Sequence, residues 1–170
     1  MLAMHPDCEK TLVALRDGVA GMTAAQMSGR PAGKWSAGEI VDHLLKTFAS
    51  TAYILERCLE QGAPKGRAVR PVERLKAFIV LDVGYFPTGI KAPAIAEPSS
   101  SPSSTVLQDG LDALARFDRA AAQAESRFGT RARLANHPVL GPFSARQWRR
   151  FHLVHTRHHM KQLARRLRER

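Results

Sequence analysis

Four of the chain's seven histidines fall within eight residues, in the stretch His152-Leu-Val-His155-Thr-Arg-His158-His159-Met-Lys-Gln162. Residues three and four apart share one face of a helix, so His152, His155 and His159 line up along one side, with Gln162 just beyond. His158 points roughly 60° away from His155 at about 100° per residue. Arg146, Arg150, Arg157, Lys161 and Arg168 take the opposite side, so the spacing predicts a helix with a wet basic face and a histidine inner face. Each inward imidazole brings two ring nitrogens that must be hydrogen-bonded, protonated or ligated once they leave water. A neutral pair at i and i+4 is a ready chelate for a divalent transition metal, as in the helical HExxH pattern, although the Glu of that pattern is absent here. A third ligand would have to come from elsewhere, and the plain alternative is a surface cluster of histidines.

A chain of 170 residues suits one domain with a real core. Cys8 and Cys58 have no paired spacing, which argues against a disulfide scaffold and against a cysteine zinc site. They read as small core residues in a reducing cytoplasm, the expected location. The first ten residues meet acidic side chains before any long apolar run, unlike a secretion signal, and no stretch approaches the ~20 apolar residues of a membrane span. The formal charge of +11 could draw nucleic acid or an anionic substrate. Its Lys and Arg residues are spread along the chain with few aromatics beside them for stacking, which favours a solvated basic surface over a nucleic-acid site.

Helical spacing of Cys8, Leu12, Leu15, Val19 and Met22 predicts a first helix over about residues 6 to 20, and Thr23 can cap a further short turn. Ser36 and Glu39 form a capping box for a second helix, whose inward stripe holds Ile40, Leu44, Thr47, Thr51, Ile54 and Leu55. His43 falls inside that stripe, as an ordinary satisfied core residue or as a ligand facing the histidines of another helix. Trp35, just before the cap, reads as a packing anchor. Gly62 ends this helix. Residues 72–83 are expected to form a short helix, although their apolar run would also suit a strand. Residues 84–104 carry four prolines and a serine tract and read as a crossover or flap. Ser104 is expected to cap a third long helix through Leu107, Leu111, Leu114, Phe117, Ala121, Ala124 and Phe128. Residues 129–143 read as a loop, and Ser144 with Gln147 forms a second capping box that opens the histidine helix. The result is an all-α chain, a four-helix bundle with a long crossover between its second and third long helices, a fold that builds metal sites from facing helices.

The segments Trp35-Ser36-Ala-Gly-Glu39-Ile-Val-Asp-His43-Leu and His155-Thr-Arg-His158-His159-Met-Lys-Gln162 resemble those of the DinB-like superfamily of metal-binding four-helix bundles. The stretch His137-Pro-Val-Leu-Gly141-Pro-Phe-Ser144-Ala-Arg-Gln147-Trp148 is similar to the loop-and-cap segment of one subgroup. The resemblance implies that His43, His155 and His159 are three protein ligands of a divalent metal such as zinc or nickel, in a family whose members often form dimers. His158 matches a doubled histidine of the subgroup and is not an expected ligand; His152 is an extra candidate. Relatives of this kind include transferases and isomerases that use low-molecular-weight thiols such as mycothiol or bacillithiol, beside members without established activity.

Three imidazoles leave an open position on a divalent metal, as in catalytic zinc sites. The expected activity is metal-assisted attack by a thiolate or hydroxide on a small electrophile. Gln162 would orient a ligand or the bound species, or else pack. No residue stands out as a general base, and His152 is the candidate. The competing expectation is a non-catalytic, stress-associated metal-binding protein whose site only stabilises the bundle.

Overall fold

Capping residues decide where the long helices begin. In a computed structural model, which describes residues 3–86 and 91–168, Ser36 and Glu39 close the predicted capping box: the Glu39 amide donates to Ser36 Oγ at 3.1 Å, and the Ser36 amide to Glu39 Oε2 at 2.7 Å. This starts α3 (Ala37–Gln61), which Gly62 ends in the left-handed conformation. Ser144 and Gln147 exchange the same bonds ahead of α6 (Ala145–Arg168). The other long helices are α1 (Pro6–Val19) and α5 (Val106–Phe128), with short helices α2 (Ala24–Ser28) and α4 (Pro71–Phe78) between. Thr23 caps α2 through its own box with Gln26.

Ser104 does not cap α5. Thr105 occupies the cap position without a side-chain cap bond, because its hydroxyl donates to Asp109 and its amide is taken up by Ser103 Oγ. The stretch over residues 72–83 is helical, as expected, and widens from α4 into a π-helical turn, Ile79–Val83. Its buried side is Glu73, Ala77, Val80 and Leu81, which leaves Leu75 and Phe78 exposed.

The expected loop over 129–143 contains a small hairpin. Strand β1 (Ala135–His137) pairs antiparallel with β2 (Gly141–Phe143), with Ala135 opposite Phe143 and His137 opposite Gly141. Strands of three residues show no period of their own. Here the turn is tied by side-chain chemistry, His137 Nδ1 accepting from the amides of Val139 and Leu140.

Packing partners reveal the helix directions. Arg116 pairs with Glu56, and Arg127 donates to the Leu59 carbonyl near the far end of both helices, so α3 and α5 run parallel. Gly18 lies against Met160, while the start of α1 meets Asp118, the partner of Arg149 near the start of α6, so α1 and α6 also run parallel. A parallel neighbour cannot be reached by a tight turn, since α3 with 25 residues is about 37 Å long. The connection over 62–105 covers that distance, carrying α4, the π-helical turn and a 3-10 turn at Ala94–Ala96; its residues 87–90 lie outside the described residues. Against α3, α6 runs antiparallel, with His43 facing His155 and Phe48 facing His152.

The core between the helices is made of Leu15, Val41, Leu44, Phe48, Leu55, Leu114, Phe117, Ala121, Phe143 and Leu153, each fully buried. No helix among the described residues is long and apolar enough to cross a membrane. The basic face of α6 is as expected, with Arg146, Arg157, Lys161 and Arg168 exposed; Arg150 instead turns its Nε to the Leu81 carbonyl.

Gly141 ties the hairpin to α4. It sits at φ +86°, and a Cβ there would lie 2.9 Å from Cβ of Glu73, the buried carboxylate that pairs with Arg67 and Arg70. Gly129 has a similar φ of +89° but open space around it. Thermal denaturation should therefore show Gly141→Ala to be the more damaging change, with a loss of roughly 1–3 kcal/mol. An equal loss in Gly129→Ala would show that backbone strain alone, and not the contact with Glu73, sets the cost.

Candidate metal centre

His43 stands two turns into α3, and His155 and His159 stand one turn apart on α6. The antiparallel crossing brings their Nε2 atoms together: His43 to His155 at 3.3 Å, and His159 to His155 at 3.1 Å. The three rings are only 5%, 9% and 8% exposed, and their ligand atoms all lie within 4.8 Å of one another. Among the described residues no carboxylate or thiol joins this group.

The outer nitrogens determine what the inner ones can do. Nδ1 of His43 donates to the Ala96 carbonyl at 2.7 Å, and Nδ1 of His159 to Gln162 Oε1 at 3.0 Å. A neutral imidazole carries one proton, so both Nε2 atoms present lone pairs. They face the Nε2 of His155, which has at most one proton to offer and cannot satisfy both. Charging the rings does not resolve the conflict, because burial pushes His43 below its ordinary range, His159 to about 3, and His155 well down, the last two also repelled by neighbouring imidazoles. A divalent cation does resolve it. Tetrahedral bonds of 2.0–2.1 Å to imidazole nitrogen imply ligand separations of about 3.3 Å, and the two measured edges match.

The walls are aromatic. Phe86 and Phe151 both stack on His155, their ring centres 5.5 and 5.1 Å from that imidazole and 6.3 Å from each other, while Trp35 lies 5.0 Å from His43. Trp35 is thus a half-buried packing residue, as expected, and also a wall of the site. Its carbonyl is held by Arg166. His158 is half-buried, 5.0 Å from the Phe86 ring, and accepts at Nε2 from the Gln162 amide at 2.9 Å. Gln162 therefore spans His159 and His158, which fixes its amide orientation.

His152 lies outside the group. It is fully buried among Phe48, Phe117, Trp148 and Phe151, and neither ring nitrogen has a protein partner. Sequence spacing alone could not separate it from His155, since both fall on the stripe. Two contributors to the site carried no sequence signal. The Ala96 carbonyl is a backbone group on a remote turn, and Phe86 follows Tyr85 in a proline-rich connection with no helical period to orient it.

Fold and site together define a helical bundle whose core holds three histidines within metal-binding distance. The chain belongs to the DinB superfamily, whose family description matches residues 8–163. No curated protein and no solved structure matches it significantly.

Buried neutral histidines make the fold acid-sensitive. Desolvation pushes His152 down to about 3 and His137 to about 4, whereas in the unfolded chain both titrate near 6.5. The unfolded state therefore binds more protons below about 6.5, and stability is lost as pH falls towards those lower values. For His152 alone the loss at pH 5 is roughly 2 kcal/mol. Urea denaturation at pH 7.5 and pH 5 should show wild type losing more stability than His152→Leu by about that amount. Equal losses would mean that His152 is not held neutral in the core.

Proposed function

We propose that His43, His155 and His159 bind a divalent transition metal, zinc or nickel, and that the chain uses it to activate a small thiol or water for attack on a small electrophile. The observation that carries this reading is the convergence of imidazole lone pairs in a desolvated core, a repulsive arrangement that a cation turns into a favourable one. Bound there, such a cation supplies Lewis acidity, bringing the pKa of a coordinated thiol or water towards neutrality.

The chain's own residues serve this chemistry by position. Ala96 and Gln162 hold two of the imidazoles in the ligating tautomer. Trp35 and Phe86 exclude bulk water, and with only three protein ligands a coordination position remains for the reacting species. His158, half-buried beside Phe86, has its ring centre 5.4 Å from that of His159 and keeps partial access to solvent. In this reading His152 packs the core and takes no part in proton transfer.

The depth of burial favours one other reading, a metal held only to stabilise the bundle. It differs in a single respect: the fourth position would then take no exogenous thiol.

Metal analysis of protein prepared without a histidine tag should give about one zinc or nickel per chain, and His43→Ala and His159→Ala should each lose most of it. Stoichiometric metal retained by both variants would remove the site. Perturbation of a cobalt-substituted protein's visible spectrum by an added thiol would support activation, and an unchanged spectrum would favour the stabilising role.

A further inference from the structure

The crossover segment is fastened to α3 by two side chains that flank His43 in sequence. Asp42 Oδ2 accepts from the Ser99 amide at 2.6 Å. Lys46, one turn on, donates to the Glu97 carbonyl at 2.7 Å and to Ser99 Oγ at 3.1 Å, and pairs with Asp42 at 3.0 Å. Immediately before these anchors in the chain lies the 3-10 turn Ala94–Ala96, closed by the Ala96 amide on the Pro93 carbonyl at 2.8 Å. The turn presents the buried Ala96, whose carbonyl receives His43 Nδ1–H. Pro93 and Pro98 restrict the backbone on both sides.

We infer that Asp42 and Lys46 are positioning residues for the metal centre: by clamping the strap 94–99 onto α3 they hold the Ala96 carbonyl where it keeps the His43 proton on Nδ1 and frees Nε2 for the metal. The inference rests on the metal reading proposed above and adds a coupling between cation and strap. A histidine's ligating nitrogen is selected by the hydrogen bond that the other nitrogen makes. With the strap released, His43 Nδ1–H loses its acceptor, and the proton is free to move to Nε2, which closes that nitrogen to a cation. Outer partners of ligating histidines contribute 10–100-fold to metal affinity. The carbonyl itself cannot be removed by substitution, so its two anchors are the handle on it. Coupling between binding events is reciprocal: if strap docking strengthens metal binding, metal binding strengthens strap docking.

Two readouts on the full chain test this. Zinc and nickel affinities, measured by competition with a chromogenic chelator, should fall about 10-fold or more in Asp42→Ala. They should fall measurably in Lys46→Ala and largely recover in Lys46→Arg, which keeps a donor. In wild type, amide hydrogen exchange across residues 94–99 should slow when metal is added, while exchange in the variants responds less. Lys46 is 29% exposed at its side chain, so its variants provide the test even if Asp42→Ala misfolds by circular dichroism. Wild-type affinity in the Lys46→Ala and Asp42→Ala variants, or strap exchange in wild type that ignores metal, would overturn the clamp while leaving the centre intact. A wild-type protein that binds no metal would overturn both.

Discussion

Imidazole lone pairs pointing at one another inside a protein are the constraint to which much of this structure responds. Three Nε2 atoms at edges of 3.1 and 3.3 Å share at most one proton, so at least one edge sets lone pair against lone pair unless a cation lies among them, and water is largely excluded by Trp35, Phe86 and Phe151. Ordinary packing would not favour this arrangement, because a neutral polar atom without a partner costs roughly 1–3 kcal/mol when buried. The outer nitrogens of His43 and His159 are satisfied by Ala96 and Gln162, whereas Nδ1 of His155 is buried without a protein partner, so the conflict is concentrated on His155 and the inner faces.

The bundle supplies the rigidity that this demands. Two capping boxes, Ser36 with Glu39 and Ser144 with Gln147, begin the helices that carry the ligands, so each histidine's height along its axis is set within a few turns. Parallel pairing of α3 with α5 then requires a long return connection. That same connection places a carbonyl against His43, so topology and metal chemistry meet at Ala96.

Much of this was legible before any coordinates. Helical periodicity located the long helices, the capping boxes at Ser36 and Ser144 marked the starts of two of them, and the i, i+4 spacing of His155 and His159 with His43 on an inward stripe identified the residues that converge. What escaped has physical reasons. The hairpin at Ala135–Phe143 is too short for a period, and its turn depends on His137 accepting two amides. The cap position of α5 is Thr105 and not Ser104, and the Thr105 hydroxyl bonds Asp109 in place of a cap bond. The stripe could not distinguish His152 from His155, since only the position of α3, with Phe48 against one and His43 against the other, makes one a core residue and the other part of the triad.

X-ray absorption at the metal edge, on protein loaded with one equivalent of zinc, addresses the claim most directly. The account predicts a first shell of three imidazole nitrogens at about 2.0–2.1 Å with one further light atom and no sulfur. A shell containing protein sulfur at about 2.3 Å, or one dominated by water oxygen with a single imidazole, would contradict it.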